Sequence, residues 1–190
     1  MEWTLAGVAV VGAGAFLGYR TLFRTIEVSI IDHPLTVGKP FSFYYKTLVG
    51  PYYKAFTTVR EAKSIVPSGT GCGIYYDDPA KVDTSCLRSA VGCIANDFDT
   101  ATLKKLIAAG FKRADLAGIS RAVTASTPVS MVTACLPVAN PIARLYSEIK
   151  QFAVSRSLSL SCALEVYEDG KMRVIFPLEN ADGLRVPEAR

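Results

Sequence analysis

The 190-residue chain is long enough for one domain of about 150 residues and a short appendage. Half of its residues are hydrophobic and its mean hydropathy is +0.26, which is high for a soluble domain and indicates a strongly apolar segment. The net charge of +4 arises from 21 basic and 17 acidic residues spread along the chain. Proteins that bind nucleic acids cluster positive charge on one face or arm, so direct nucleic-acid binding is not expected.

The cysteine content argues against a disulfide framework and against a metal site. The five cysteines are odd in number and lack C-x-x-C spacing, so free thiols in a reducing compartment are expected. A structural zinc site needs about four good ligands, and the single His33 lies far in sequence from every cysteine. We therefore expect neither a bound metal nor a cofactor.

The first segment of the chain is apolar and carries no charge from Trp3 to Tyr19. As a helix it would extend about 25 Å, slightly less than the roughly 30 Å hydrocarbon core of a bilayer. The rings of Trp3 and Tyr19 suit the two membrane interfaces, and Arg20 and Arg24 favour a cytosolic location for everything that follows. The sequence therefore predicts a single transmembrane helix in the lipid bilayer with a lumenal N-terminus.

This interpretation divides the chain into an anchor with its juxtamembrane basic residues over 1–24 and a globular domain over 25–190. A cleavable secretory signal is an alternative for the same segment, because Ala13-Gly14-Ala15 resembles a cleavage site. A secretory signal begins with a basic region, however, and Met1-Glu2 supplies none.

A second alternative is an NAD(P)-binding oxidoreductase. Gly12, Gly14 and Gly18 resemble a dinucleotide fingerprint, and Asp32 follows at the distance of a ribose-binding carboxylate. A Rossmann half then needs a helix and another parallel strand, whereas Pro34 follows almost at once. The alternative remains open, and it predicts a parallel sheet.

The remaining chain contains two series of predicted elements, bounded by proline, glycine and Asp-Pro turn signals. In the first half, we predict strands over 26–32, 41–49, 71–77 and 90–95, a helix over 51–66, and a short helix between Asp99 and Gly110. In the second half, we predict a strand over 130–138, a helix capped by Asn140-Pro141, and a hairpin of 162–169 with 171–178.

The two series have corresponding residues at a nearly constant spacing. Pro51 and Pro141 are 90 residues apart, and Ile74 and Val166, in similar stretches, are 92 apart. The sequence therefore predicts an α+β fold of two strand–helix–hairpin modules, related by a pseudo-twofold axis, with helices on one sheet face. We expect this arrangement to leave a cleft on the opposite face of the sheet.

Six short stretches, in chain order, resemble a known protein family. They are IEVS from Ile26, VGPY from Val49, IYYDDP from Ile74, CLRSAVG from Cys86, LEVYED from Leu164 and RVP from Arg185. Together they resemble the testis-expressed 264 family, whose members have an N-terminal membrane segment and a gyrase-inhibitor-like (GyrI-like) domain. No single stretch is specific, but their order and spacing extend over nearly the whole chain.

The resemblance implies a signal-anchored, single-pass protein of the endoplasmic reticulum membrane with a cytosolic domain. It further implies an adaptor role, either as a receptor in autophagy of the reticulum (reticulophagy) or in protein quality control with an unfoldase ATPase. The family's disordered C-terminal tail, which carries the segments for those partners, has no counterpart before Arg190. We therefore expect contacts with the autophagy or unfoldase machinery to involve other chains.

The alternation from Leu164 to Tyr167 places Glu165 and Tyr167 on one strand face, and Tyr75 is the first-half counterpart of Tyr167. In bacterial GyrI-like domains, which the chain resembles more distantly, a glutamate at this position faces a hydrophobic cleft and meets cationic amphipathic ligands. We predict that Glu165, Tyr167 and Tyr75 bind such a small ligand, because a carboxylate among aromatic rings attracts a cation. The alternative is that Glu165 pairs with an arginine or is solvated.

Catalytic patterns are weak. The stretch around Ser120 approaches a nucleophile elbow but lacks its last glycine, and the single histidine precedes it. Asp77 and Asp78 stand before Pro79 and are typical of a turn. We therefore predict a binding protein without catalytic residues rather than an enzyme.

Overall fold

The computed structural model describes residues 25–96, 98–128 and 141–189. The predicted anchor residues Trp3, Tyr19, Arg20 and Arg24, the fingerprint glycines and the predicted strand over 130–138 lie outside these ranges. Within the ranges, no helix combines the length and the apolar character that crossing a bilayer requires.

The described part of the chain has an α+β fold with eight strands and three α-helices. The strands are β1 (Ser29–Asp32), β2 (Phe41–Val49), β3 (Thr70–Tyr75), β4 (Arg88–Ile94), β5 (Lys112–Leu116), β6 (Arg121–Pro128), β7 (Ala163–Glu168) and β8 (Lys171–Pro177). The helices are α1 (Ala55–Ile65), α2 (Thr100–Ala108) and α3 (Pro141–Ser155). Short 3-10 turns occur, among other places, at Tyr52–Lys54, Ala181–Leu184 and Pro187–Ala189.

The eight described strands form one sheet in the order β1-β6-β8-β7-β3-β4-β2-β5. The series β2-α1-β3-β4 and β6-α3-β7-β8 have the same element order, and they meet where β3 pairs with β7. In that pairing Gly73 lies directly opposite Glu165, which follows it by the same 92 residues that separate the sequence repeats. A pseudo-twofold axis between β3 and β7 therefore relates the two modules.

All pairings between the described strands are antiparallel. The dinucleotide hypothesis requires Asp32 to end a strand in a parallel sheet. Asp32 instead ends β1, an edge strand that pairs antiparallel with β6. The described sheet thus lacks the arrangement that this hypothesis predicts.

Local sequence signals explain several element boundaries. The β7–β8 hairpin turns at Asp169 and Gly170, whose φ angles of 49° and 69° are the left-handed values of a two-residue turn. The carboxylate of Asp99 accepts a hydrogen bond from the Thr102 amide at 2.9 Å and caps α2. Gly110, with φ of 86°, follows the end of that helix. The predictions for these turns and caps are confirmed.

The described helices pack on one face of the sheet, which we call the helix face. The first helix, α1, buries Val59 and Ala62, and α3 buries Leu145 and Ile149, against apolar side chains of the sheet and of α2. The apolar stripe predicted for α3 is therefore the surface that attaches this helix to the core.

The opposite face of the sheet is closed. The loop around Val37 and the last described segment cover it, and Leu184 and Val186 in that segment are buried. The Tyr76 hydroxyl holds this segment through contacts of 3.3 Å with the Leu184 carbonyl and the Val186 amide. The predicted cleft on this face is therefore wrong, because these segments fill it.

Two strands differ from the prediction. The second module begins with β6, whereas the sequence pattern placed its first strand over 130–138. Periodicity predicts no element at β5, because its sequence Lys-Arg-Ala-Asp-Leu is polar and it lies at the sheet edge. The small side chains of β6 (Arg-Ala-Val-Thr-Ala-Ser-Thr-Pro) likewise give a weaker apolar signal than the stretch that follows it.

Candidate functional site

A cleft of about 1220 Å³ opens between α1 and α3 over the centre of the helix face. Its floor is formed by side chains of β3, β7 and β8, namely Tyr75, Glu165, Tyr167 and Phe176. Its walls come from the approach to α1, from α1 itself and from the first turns of α3, and include Tyr52, Tyr53, Phe56, Ile142, Tyr146 and Ile149. The cleft is thus mainly aromatic and apolar, with one carboxylate on its floor.

Glu165 lies in the middle of β7 and is only 8% exposed. Its Oε1 accepts a hydrogen bond from the Tyr146 hydroxyl at 2.7 Å, and its Oε2 accepts one from the Tyr167 hydroxyl. No lysine or arginine of the described ranges forms an ion pair with it. The carboxylate is therefore largely buried, and within the described ranges it is not paired with an arginine.

The tyrosines around Glu165 act as neutral hydrogen-bond donors. Burial, together with the nearby Glu165 carboxylate, raises the pKa of Tyr75, Tyr146 and Tyr167 well above the usual value. These phenols therefore stay protonated at physiological pH. Tyr146 and Tyr167 donate hydrogen bonds to the carboxylate oxygens of Glu165 without supplying a positive counter-charge.

The ring of Tyr75 reaches the floor because the residue opposite Glu165 is glycine. A Cβ atom at Gly73 would lie 2.9 Å from the Cε2 and Oη atoms of Tyr75. Gly71 has a similar role beside it, since a Cβ atom there would lie 2.8 Å from Cγ1 of Val59 in α1. The two glycines thus let the tyrosine ring and the helix approach the sheet closely.

Tyr52 forms part of the wall and is fixed by the connection between β3 and β4. Its ring packs edge-on against Tyr75, with centroids 4.7 Å apart. Its hydroxyl donates to the Asp77 carbonyl at 2.8 Å and accepts from the Asp77 amide at 3.1 Å. Three hydrogen bonds from Arg88, two from its guanidinium at 2.8 and 3.0 Å and one from its backbone amide at 2.7 Å, hold the Asp77 carboxylate and lower its pKa. Hydrogen bonds and an aromatic contact within the protein thus hold this wall in position.

The rim of the cleft carries exposed aromatic and basic side chains. Tyr53 is 78% exposed and Phe56 is 43% exposed. Three lysines, Lys63, Lys150 and Lys171, also line the opening. The ammonium group of Lys63 donates to two backbone carbonyls after the end of α1. Lys150 and Lys171 form no ion pair with any other described residue.

The structure brings together the three residues predicted to bind a ligand, Glu165, Tyr167 and Tyr75. It adds Tyr146, which the sequence pattern assigned to the apolar stripe of α3. The signal for Tyr146 was its hydroxyl group, because a buried tyrosine usually requires a hydrogen-bond partner. Ligand binding by these residues stays a prediction.

The other candidate residues have structural roles. Ser120 lies in the loop between β5 and β6 and donates to Glu179 at 3.0 Å, so it lacks the strand–turn–helix context of a nucleophile elbow. Asp78 accepts a hydrogen bond from the Ala80 amide at 2.9 Å in the predicted turn. Asp77 is engaged with Arg88.

Comparison with curated proteins identifies two relatives. Human testis-expressed protein 264 is 28% identical over 180 residues, which cover 93% of this chain and 56% of that protein. The mouse testis-expressed protein 264 homolog is 27% identical over the same shares of both chains. The chain therefore spans about half the length of the curated relatives it matches. No family model matches the chain.

Comparison with solved structures shows a likeness of fold. The crystal structure of the EcmrR C-terminal domain has a TM-score of 0.50 and 16% identity, and covers 80% of this chain and 96% of that domain. The cryo-EM structure of an EcmrR–DNA complex has a TM-score of 0.50 and 13% identity, over 93% of this chain and 66% of that one. The described domain thus has a fold similar to that of the EcmrR C-terminal domain.

Proposed function

We propose that this chain, a homologue of testis-expressed protein 264, is a binding protein whose GyrI-like cleft takes an amphipathic organic cation. The observation that carries the proposal is the buried Glu165 carboxylate, which no described basic residue pairs with. Removing a carboxylate from water without a counter-charge is costly. A bound cation would supply that charge.

The surroundings of Glu165 support the same ligand class. A cation over the face of a tyrosine ring gains roughly 0.5–2 kcal/mol, and Tyr52, Tyr75 and Tyr146 line the same cleft as the carboxylate. The apolar walls offer a surface for the hydrophobic body of the ligand. The protein then acts by binding and not by catalysis.

A calorimetric titration of the full chain in a nonionic detergent tests this proposal, with hexyltrimethylammonium as the cation. We expect the cation to bind wild type, and to bind Glu165→Gln at least about tenfold more weakly because the charge attraction is lost. Glu148→Gln is the matched control, since Glu148 is an exposed residue of α3 outside the cleft. Equal affinity of wild type and Glu165→Gln, or no binding to wild type, would contradict the proposal.

We also propose that the binding domain is tethered to the endoplasmic reticulum membrane and serves as an adaptor there, in reticulophagy or in protein quality control. The uncharged stretch from Trp3 to Tyr19, followed by Arg20 and Arg24, supports the tether with the domain on the cytosolic side. The resemblance to testis-expressed protein 264 supports the adaptor role. Autophagy or unfoldase partners would be reached through other chains.

Localisation tests the tether. The full chain, fused to a fluorescent protein at its C-terminus, is expected on reticulum membranes and resistant to carbonate extraction. A variant that lacks residues 1–24 is expected throughout the cytosol. If the full chain is also soluble after carbonate treatment, the tether is wrong, although the cleft proposal is unaffected.

A further inference from the structure

We infer that the occupant of the cleft is a phosphocholine lipid, bound with its quaternary ammonium at Glu165 and its phosphate at Lys150 and Lys171. This inference rests on the proposed function, because it names the ligand class of the same cleft. It follows from three properties of the cleft: the hydrogen bonds of the carboxylate, the charges of the rim and the apolar side chains at the mouth.

The hydrogen bonds of Glu165 favour a cation without N–H groups. Each of its carboxylate oxygens already accepts a tyrosine hydroxyl, from Tyr146 and from Tyr167. A primary ammonium has three N–H donors that need acceptors, and about two unused lone-pair sites on the carboxylate cannot satisfy all three. A quaternary ammonium needs no acceptor and is attracted both by the charge and by the tyrosine ring faces.

The charges at the rim favour an anionic group next to that cation. Lys150, on an exposed part of α3, and Lys171, at the start of β8, line the same cleft as Glu165. Neither forms an ion pair with a described residue. Of the four other acidic residues that line the cleft, three face cations of their own, in the pairs Asp77–Arg88, Asp78–Lys81 and Glu168–Arg173, and the fourth, Asp169, forms no ion pair with a described residue.

A simple cation would therefore meet repulsion from lysines on its way to the floor. A zwitterion with adjacent positive and negative groups is attracted at both positions. Phosphocholine has this charge order, since its quaternary ammonium is the outermost group and its phosphate lies next to it.

The mouth of the cleft favours a ligand with a hydrocarbon chain. Tyr53 and Phe56 expose large aromatic surfaces there, and Leu160 adds an apolar side chain to the lining. The volume of about 1220 Å³ exceeds what a headgroup alone would occupy. The chain of a lipid would cover these side chains.

Three probes with the same short chain separate these contributions, in calorimetric titrations of the full chain in a nonionic maltoside. They are hexylphosphocholine, hexyltrimethylammonium and hexyl phosphate. We expect wild type to bind hexylphosphocholine about three- to tenfold more tightly than hexyltrimethylammonium, because partly exposed charge pairs contribute a gain of this size. Of the three probes, hexyl phosphate should bind most weakly.

The double variant Lys150→Gln/Lys171→Gln gives the sharpest test. We expect this variant to bind hexylphosphocholine about three- to tenfold more weakly than wild type does. Its affinity for hexyltrimethylammonium should be unchanged or higher, because the repulsion from the two lysines is removed. The matched control is Lys104→Gln/Lys105→Gln on α2, which removes the same charge from exposed lysines outside the cleft. This control should change neither affinity.

The outcomes distinguish the two proposals. Tight binding of hexyltrimethylammonium without a gain for hexylphosphocholine overturns the zwitterion inference and leaves the proposed function standing. Failure of both probes to bind overturns both. If Lys104→Gln/Lys105→Gln lowers the affinity for hexylphosphocholine as much as Lys150→Gln/Lys171→Gln does, the net charge of the protein and not the two cleft lysines determines the affinity. That result also overturns the inference. If free phosphocholine binds as tightly as hexylphosphocholine, the occupant is a soluble headgroup and not a lipid.

Discussion

Glu165 and Gly73 lie directly opposite each other on the central strands β7 and β3, and they occupy equivalent positions in the two modules. The pseudo-twofold axis therefore relates a carboxylate on one side to a position without a side chain on the other. The ring of Tyr75 fills the space beside Gly73 and interacts with the carboxylate. A cleft between two similar halves thus has one charged point on its floor, which would give a bound cation a defined position.

The substitution Gly73→Ala tests this arrangement. The added methyl group would lie 2.9 Å from the Tyr75 ring and force it away from the floor. We expect a loss of about 1–3 kcal/mol in the free energy of unfolding and weaker binding of the cation. Urea unfolding and calorimetry measure the two effects. Unchanged stability and affinity would show that the close contact is not important.

The substitution Tyr146→Phe tests the hydrogen bond to Glu165. It removes the donor at 2.7 Å from Oε1 and leaves that buried oxygen less satisfied, so we expect a loss of about 1–3 kcal/mol in stability. The loss should shrink when Glu165→Gln is already present, because the two residues interact directly. A double-mutant cycle by urea unfolding measures this coupling. Strictly additive effects of Tyr146→Phe and Glu165→Gln on stability would contradict a direct interaction between the two residues.

The Glu188 carboxylate should contribute to the acid dependence of stability. Hydrogen bonds from Lys112, at 2.6 Å, and from Tyr45, at 2.7 Å, lower its pKa from 4.5 to about 2. The unfolded state thus binds more protons in this window, so the stabilisation is complete above pH 4.5 and is lost as the pH falls to about 2.

Unfolding at a series of pH values therefore should distinguish wild type from Glu188→Gln. We expect the wild type to be more stable at neutral pH, and the difference between the two to diminish as the pH falls from 4.5 toward about 2. A difference that does not depend on pH across this window would contradict the assigned hydrogen bonds.

The thiols should differ strongly in reactivity. The described cysteines are free, and Cys72, Cys93 and Cys162 are buried whereas Cys86 is exposed. Burial raises the pKa of the Cys72 thiol and raises that of the Cys93 thiol to about 11. Few of these two side chains are therefore present as reactive thiolates at neutral pH. In the native protein, we expect an alkylating reagent to modify Cys86 well before these three. Mass spectrometry after timed alkylation measures the order, and rapid modification of Cys72 would contradict the described core.

The sequence predicted those parts of the fold that local chemistry determines. The β7–β8 hairpin at Asp169 and Gly170, the cap at Asp99 and the aromatic-rich strand β2 depend on neighbouring residues. The repeat spacing likewise indicated a pseudo-twofold axis, and the structure shows that it lies between β3 and β7. The edge strand β5 and the small side chains of β6 gave no such signal, because partner strands determine their pairing.

The candidate site was predictable in its residues and not in its location. The alternation around Glu165 and the repeat pairing of Tyr167 with Tyr75 select the residues that the structure brings together. The face on which they open depends on the segment around Leu184 and Val186, whose packing over the other face has no periodic signature. Tyr146 joins the site across 19 residues of sequence, through a contact between helix and sheet.

The proposed function requires that an organic cation binds at Glu165 on the helix face. The most direct measurement is an NMR titration with hexyltrimethylammonium that records nuclear Overhauser effects between its N-methyl protons and assigned tyrosine ring protons. We expect effects to Tyr75, Tyr146 and Tyr167, with an upfield shift of the N-methyl signal from the surrounding rings. Effects to Tyr45 or Tyr76 on the opposite side of the sheet, or none to the tyrosines around Glu165, would contradict it.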